Sequence, residues 1–475
     1  MDSSAIIDTS CPSTIISDIT IYSEDEEIYA CTLNQTDVAN NCNKFFIMQL
    51  LSRKDKRCYF IITRGGRVGY SGNDNIECYL KKDQAIKDFK CIFHERTGFP
   101  WEKRSTVDKQ PGKYDYIEMK YGDKKEFKDL QEVTITLDEK VSKLVEIIFD
   151  VNNFKNIAEQ FNLDLKRAPL GAISSSQISK AYRILDKITK ILEDSADKTQ
   201  LTELSSQFYT VIPTNFGMGP PPILNTEDLV KKKVELLKIL DDAEIMSRLI
   251  KRSSHLSKKI ESQYISLQSD IKPIPINSKL GRELSDYMQL SSGHHYRLRI
   301  QEIYSLERHE ERTRFLPWAN FHNRQLLWHG SRLSNFVSII SSGLRINPGN
   351  VIRTGSMFGN GLYFANSSTK SAQYMYTSYT NGLGIMLLCE VALGTCYENY
   401  NANYITNLPS GMHSTHGVGQ YTPDPKSYIT REDGTIIPTG KLIKRQNFSG
   451  SLNYDEFIIY DQSQLRIKYL FIVGT

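Results

Sequence analysis

The chain has 475 residues, 40% hydrophobic and 24% charged, with a formal net charge of +4. At ~100–200 residues per domain this length holds two to four domains, and the ordinary composition excludes collagen-like, mucin-like and fully disordered chains. The small net charge hides a division, because residues 1–27 carry seven acids and no Lys or Arg, leaving +11 on everything after them.

Those first 27 residues, rich in Ser, Thr, Ile and acids, read as a mobile acidic arm. They lack the basic and apolar regions of a secretory leader, and no apolar run approaches ~18 residues, so a soluble intracellular protein without membrane contact is expected. The eight cysteines (Cys11, Cys31, Cys42, Cys58, Cys78, Cys91, Cys389, Cys396) form no C-x-x-C pair. Reduced thiols and no metal site follow as expectations.

From Tyr29 short strand-like runs begin: FFIMQLL (45–51) and CYFIITR (58–64), joined by a charged hairpin loop, then a Gly-punctuated turn at 65–72. Residues 81–98 follow as an amphipathic helix, with Ala85, Ile86, Phe89, Ile92 and Phe93 at helical spacing and Gly98 as its stop. Residues 28–130 hold 20 basic and 14 acidic side chains, so this small α+β module carries +6.

Residues 131–250 switch to a helical period. Val141, Leu144, Val145 and Ile148 make one stripe, Ile178, Ala181, Tyr182, Leu185 and Ile188 a second, and Leu229, Val234, Leu237 and Leu240 a third. Ser176 is placed as the N-cap of the second helix and Asn225 as a capping residue of the third, with MGPPPIL as a rigid connector between them. Residues 251–278 read as a linker whose basic pairs, Lys251–Arg252 and Lys258–Lys259, suit either a two-part nuclear signal or plain solvated charge. Residues 279–475 mix strands and short helices, as in an α+β domain.

Three features of that last domain bear on chemistry. RQLLWHGS (324–331) is an apolar strand ending in His329, with Gly330 next to it, where a missing side chain lets the backbone approach a planar ligand. MFGNGLYFAN (357–366) sets Tyr363 on a strand after a Gly-rich turn, and LNYDEFIIYD (452–461) sets Glu456 near the start of an apolar strand. An acid there is costly unless it is partnered or functional. Each feature also has a structural reading: a satisfied histidine, a core tyrosine, an edge charge.

The segments LLWHGSRLSNFVSIISSGLRI, MFGNGLYFANSSTKSAQY, HSTHGVGQYTPDP and NYDEFIIYD closely resemble, in order and spacing, the catalytic domain of the poly(ADP-ribose) polymerases. LVEIIFDV, APLGAISSSQI and YTVIPTNFGMGPPPILN resemble that family's helical regulatory domain, and residues 28–130 its WGR module. The resemblance implies a multidomain protein: the arm (1–27), an α+β WGR-like module (28–130), an all-α regulatory domain (131–250), the linker (251–278) and an α+β ADP-ribosyltransferase catalytic domain (279–475). It also implies the family's triad at His329, Tyr363 and Glu456, with NAD+ as the substrate. His329 would bond the ribose next to nicotinamide, Gly330 and Ser371 would grip the amide, and Tyr363 and Tyr374 would sandwich the ring. Ser331, Asn335 and Arg345 match positions lining the adenosine half. Glu456 would stabilise positive charge on the ribose and orient an acceptor hydroxyl.

Several positions depart from the family pattern. The Trp-Gly-Arg triplet reads Gly65-Gly66-Arg67, which removes an aromatic platform and leaves Arg67 for phosphate contact. Gly359-Asn360-Gly361 and Ser356 replace a cation and an aromatic, and Lys238 stands where better-known members carry an acid. With no zinc-finger spacing, the resemblance is to the small DNA-dependent members. It implies a nuclear enzyme, activated by DNA strand breaks, that builds poly(ADP-ribose) on acceptor proteins including itself, with an accessory factor able to complete the site. The acceptor acids of the arm, Glu24 to Glu27, suit either automodification or simple solvation. A mono-ADP-ribosyltransferase and a catalytically silent break-binding scaffold stand as alternatives.

Overall fold

The computed structural model describes residues 7–8, 11, 19–25, 27–55, 57–107, 110–119, 135–153, 173–194, 197–253, 258–293, 298–346 and 357–475. Asp2, Asp18 and Glu26 of the arm, the loop residue Ser356 and the side chains of Lys251 and Arg252 lie outside that description. The described residues fall into two compact units, one within 1–129 and 154–251, the other within 130–153, 252–348 and 355–475.

In the first unit the runs anticipated at 45–51 and 58–64 lie within strands β3 (Cys42–Arg53) and β4 (Tyr59–Arg67). With β1 (Ile19–Ile21), β2 (Ala30–Asp37), β5 (Asn73–Tyr79) and β6 (Asp115–Ile117) they form an antiparallel sheet ordered β5-β4-β3-β2-β6, with β1 beside β3. Helix α1 (Lys82–Thr97) lays Ala85, Phe89 and Phe93 on this core and ends at Gly98 in the left-handed conformation. Phe89 and Phe93 meet Trp101 edge-on at 5.0 and 4.9 Å, and such ring pairs add about 0.5–1.5 kcal/mol each beyond the area they bury.

The expectation of a mobile arm is corrected for its described residues. Ile19 and Ile21 are buried, and β1 pairs with Leu51–Arg53, following the period-2 pattern of Ile19-Thr20-Ile21. Three of the described acids have partners, while Asp25 is exposed. Asp8 receives Arg64 Nε at 2.8 Å and Nη2 at 2.6 Å, Glu24 pairs with Lys82 at 2.7 Å, and Glu27 accepts from Trp101 Nε1 at 2.6 Å and faces Arg104 at 3.0 Å.

Strand β2 is buried along almost its whole length, because it packs against a helix as well as lying between β3 and β6. That helix is α4 (Lys198–Val211), which packs through Leu201, Leu204 and Phe208 with α3 (Ser175–Asp194) and α5 (Glu227–Ser253), whose apolar stripes are those read from the sequence. Their caps differ by a residue or two from expectation. Ser174 Oγ accepts from Gln177 N and Thr226 Oγ1 from Leu229 N, while Ser176 instead donates to Glu118.

The seam between sheet and helices is polar and specific. Asn34 Nδ2 donates to the carbonyls of Tyr209 (2.9 Å) and Thr210 (3.0 Å), and Asn43 Nδ2 to that of Thr214 (2.9 Å). Arg67 closes it: Nε bonds Gly217 O at 2.7 Å, Nη1 bonds Asn41 O at 2.9 Å, and Nη2 reaches Asn41 Oδ1 and Gly219 O at 2.7 Å each. Four of its five N–H donors are therefore engaged inside the chain, so Arg67 fastens this seam. Gly69 belongs to the same seam. It has φ +96°, and a Cβ there would lie 2.1 Å from Asn215 Oδ1, itself bonded to Gly217 N. Gly69→Ala is expected to loosen the seam at a cost of about 1–3 kcal/mol. Hydrogen exchange would report it as faster exchange at 209–219 than at 85–97.

The second unit begins earlier than the anticipated boundary. Helix α2 (Glu139–Ile148) belongs to it: Lys140 O accepts from Tyr304 Oη at 2.9 Å and its ammonium pairs with Glu302 at 2.7 Å. The linker expectation is also corrected, since α5 runs to Ser253, α6 spans Lys259–Ser266 and Ser269–Ile274 forms β7. The prolines of KPIPIN suggested irregular chain. Pro273 instead sits in an edge strand, where a missing N–H costs little.

That unit is built on a sheet whose main path is β9-β11-β16-β8-β7, formed by β7, β8 (Arg299–Arg308), β9 (Arg324–Ser331), β11 (Leu383–Ala392) and β16 (Leu465–Gly474). A second sheet, ordered β10-β15-β13-β12, contains β10 (Leu362–Phe364), β12 (Cys396–Asn399), β13 (Ser414–Gly417) and β15 (Glu456–Ile459). Trp328 of β9 and Ala365, just after β10, exchange backbone hydrogen bonds of 2.8 and 3.0 Å, which joins the two sheets.

Candidate active site

The junction at Trp328–Ala365 brings the residues anticipated as a triad onto adjoining strands. His329 follows Trp328 on β9, and its Nδ1–H donates to Tyr363 O at 2.9 Å, since a carbonyl only accepts. That bond fixes the tautomer of a neutral ring and leaves Nε2 as its acceptor nitrogen. Tyr363 lies in the middle of β10. Its hydroxyl donates to Gly359 O at 2.7 Å and accepts from Phe358 N at 3.1 Å. Burial pushes its pKa far up, so the phenol stays neutral.

β10 pairs antiparallel with β15, Tyr363 opposite Ile458 and Phe364 opposite Phe457, so Glu456 begins the strand diagonal to Tyr363 on the same face, near enough to act on its phenol. Glu456 is 4% exposed. One carboxylate oxygen pairs closely with the Lys370 ammonium, while Oε2 meets no hydrogen-bond donor among the described residues. A buried half-satisfied carboxylate is costly to maintain, and such a group marks a place where a ligand supplies the missing donor.

Lys370 was missed in reading the sequence. It is the one cation in the run SSTKSA, and the short helix Ser368–Ala372 packs it against Glu456. Burial works against its ammonium, but Glu456 and Tyr374 overcome that and raise its pKa. The Nζ also stands 5.9 Å from the Tyr374 ring centroid, a cation–π approach that ties the exposed Tyr374 to the same cluster.

Gly330 and Ser371 come together as well. Ser371 Oγ donates to Trp328 O at 2.9 Å, and a Cβ on Gly330 would lie 1.9 Å from Ser371 O. Only a glycine fits there, and its bare backbone forms a narrow wall suited to a flat amide. Ser331 and Asn335 are buried and joined, Asn335 Nδ2 donating to Ser331 Oγ at 2.9 Å. Arg345 is exposed, two residues after Gly343, with Nη2 bonded to Ser338 Oγ at 3.0 Å. Among the described residues no group of three or more His, Cys, Asp or Glu could hold a metal ion, and no described helix is long and apolar enough to cross a membrane.

Comparison with known proteins accounts for all three parts of the chain. Residues 282–475 match the family described as poly(ADP-ribose) polymerase catalytic domain, 135–264 the poly(ADP-ribose) polymerase regulatory domain, and 29–108 the WGR domain. The chain is 36% identical over 460 residues to poly [ADP-ribose] polymerase 1 of Gallus gallus, covering 95% of this chain and 45% of that one. It is 34% identical over 490 residues to poly [ADP-ribose] polymerase 2 of Arabidopsis thaliana, covering 98% and 76% respectively. A poly [ADP-ribose] polymerase 2 of Zea mays is 34% identical over 485 residues, covering 99% and 74%. The chain thus spans less than half the length of the animal relative and about three quarters of the plant ones.

Proposed function

Because the chain belongs to the poly(ADP-ribose) polymerase family, we propose that it cleaves NAD+ at the nicotinamide–ribose bond and transfers ADP-ribose to acceptor side chains, then extends the chain. The observation that carries this reading is Glu456: buried, neutralised on one oxygen by Lys370, and with Oε2 still lacking a donor beside Tyr363. A ribose hydroxyl would supply that donor.

In the reaction the ribose C1–N bond breaks, its electron pair leaves with the ring nitrogen, and the cationic pyridinium becomes neutral nicotinamide. Positive charge grows on the sugar carbon, as in glycosidic cleavage generally. A carboxylate fixed in advance favours that charge over the ground state, which is how binding is converted into rate. The acceptor oxygen then bonds to C1 and gives up its proton. His329 would hold the ribose through Nε2. Gly330 and Ser371 would grip the amide, Tyr363 and Tyr374 would flank the ring, and Ser331, Asn335 and Arg345 would line the adenosine side.

The rest of the reading concerns control. The WGR module carries +6 and is hydrogen-bonded to the regulatory helices through Asn34, Asn43 and Arg67, so DNA strand breaks are the proposed activator and the seam the proposed relay. A nuclear role in the DNA damage response, with the protein itself among the acceptors, completes the proposal. Labelled NAD+ incubated with the full chain, with and without nicked DNA, tests it on a gel. A ladder that strengthens with DNA is expected. A single shifted band points to mono-ADP-ribosylation instead, and no label at all rejects the enzyme.

A further inference from the structure

Asp455 precedes Glu456 and is 1% exposed. Its carboxylate accepts from Arg445 Nη1 at 2.7 Å and Nη2 at 3.0 Å, from Gly419 N–H at 2.8 Å and from Asn366 Nδ2 at 3.0 Å. His416 Nε2 approaches it at 3.3 Å. Burial by itself would raise its pKa, but His416 and Arg445 overcome that and hold the group well below the usual carboxylate range. An anion saturated in this way does no proton transfer; it orients what it is attached to.

The groups it gathers come from the segments that build the site. Asn366 follows β10 and the Ala365–Trp328 junction, so it reports the positions of Tyr363 and His329. His416 and Gly419 flank the passage from β13 to β14 (Gly419–Pro423), and Gly417, the last residue of β13, pairs with Glu456 itself. That passage lies against the peptide leading into Glu456, because a Cβ on Gly419 would fall 2.1 Å from Tyr454 C and 2.5 Å from Asp455 N. On the far side the His416 ring stacks on Phe457 at 4.6 Å and 9°, and its Nδ1 stands 3.6 Å from Glu398. The backbone on both sides of Glu456 is thereby clamped, while the Glu456 carboxylate itself is held by Lys370 alone among the described residues.

We propose that Asp455 is a positioning residue for Glu456: its bonds to Arg445, Gly419 and Asn366, with His416 closing the ring, fix the backbone from which the Glu456 carboxylate is presented. A carboxylate that acts on a developing charge has to be placed to within about 0.5 Å, and a misplacement of about 1 Å lowers rate by roughly 10²-fold. Lys370 fixes one oxygen, and the network around Asp455 fixes the main chain, which together define where Oε2 stands.

The inference rests on Glu456 acting as proposed above, and the test separates the two. Nicotinamide release is measured for the full chain as wild type, Asp455→Asn, Arg445→Gln and the Asp455→Asn/Arg445→Gln double variant, with benzamide affinity and thermal midpoint alongside. Asp455→Asn leaves Arg445 facing a neutral group, and kcat is expected to fall at least about tenfold while KM for NAD+ and the benzamide Kd stay within about twofold. Those last two report Gly330 and Ser371, which stand on β9 and the helix Ser368–Ala372. The double variant removes both charges together, and is expected to recover most of kcat. Arg445→Lys, which keeps the charge but loses the two-pronged contact, carries the same test if the asparagine variant does not fold. An unchanged kcat in either variant overturns the inference. So does a joint loss of kcat, KM, benzamide affinity and thermal midpoint that the double variant fails to restore, because that is the signature of a simple staple. A wild-type chain that releases no nicotinamide overturns instead the enzymatic reading.

Discussion

Glu456→Gln is expected to lower kcat for nicotinamide release by about 10²–10³-fold and abolish polymer, while benzamide binds as in wild type. The substitution is nearly isosteric, so the strand and its clamp persist. What changes is charge. Glu456 and Lys370 now cancel, and with glutamine the cluster carries a net +1 beside the carbon where positive charge develops. Two unit charges ~4 Å apart at an effective dielectric of ~20 interact by about 4 kcal/mol, enough for a loss of that size. The amide would also place an N–H or a carbonyl where Oε2 stood, so a ribose hydroxyl could still bond there and binding would survive. Steady-state kinetics with labelled NAD+ gives kcat, and a gel of the products reports chain length. Ladder formation at wild-type rate would remove Glu456 from the chemistry.

Gly330→Ala is expected to give the opposite pattern, with KM for NAD+ and Kd for benzamide both raised at least about tenfold and a stability loss of about 1–3 kcal/mol. The added Cβ would meet Ser371 O at 1.9 Å and Ser371 C at 2.8 Å, and both are backbone atoms that cannot rotate away. Either β9 or the helix Ser368–Ala372 has to shift, which moves Ser371 away from Trp328 O and widens the slot. Because Lys370 rides on the same helix, kcat falls too, but by less than in Glu456→Gln. Isothermal calorimetry with benzamide measures the effect without turnover. An alanine variant that binds benzamide like wild type would place the nicotinamide slot elsewhere.

Much of the catalytic unit was legible because its signals are local. An apolar strand ending in His-Gly, a tyrosine after a Gly-rich turn and an acid heading an apolar strand are each visible within ten residues, and resemblance joined them. The structure places them on β9, β10 and β15 as neighbours. The helical stripes and α1 with its Gly98 stop were legible for the same reason. What escaped depends on partners far away in the chain. Lys370 gains meaning only from Glu456, 86 positions later, and Asp455 only from Arg445, Gly419 and Asn366. Arg67 looked like an exposed cation because its acceptors are carbonyls about 150 residues away, and carbonyls carry no sequence signature. The acidic arm misled in the same manner: its composition suggested solvent, while Asp8 and Arg64 neutralise each other at 6% and 10% exposure.

Arg67 has one further implication. An anion that takes hold of this guanidinium must compete with Asn41, Gly217 and Gly219 for the same N–H groups, so capture of the anion and release of the 217–219 loop become a single exchange. Exchange of this kind is reciprocal: whatever factor the anion loses to the loop, the loop loses to the anion. A small molecule that stiffened residues 209–219 would therefore act as an antagonist of anion binding from a distance, and its potency could be read from the salt dependence of that binding alone.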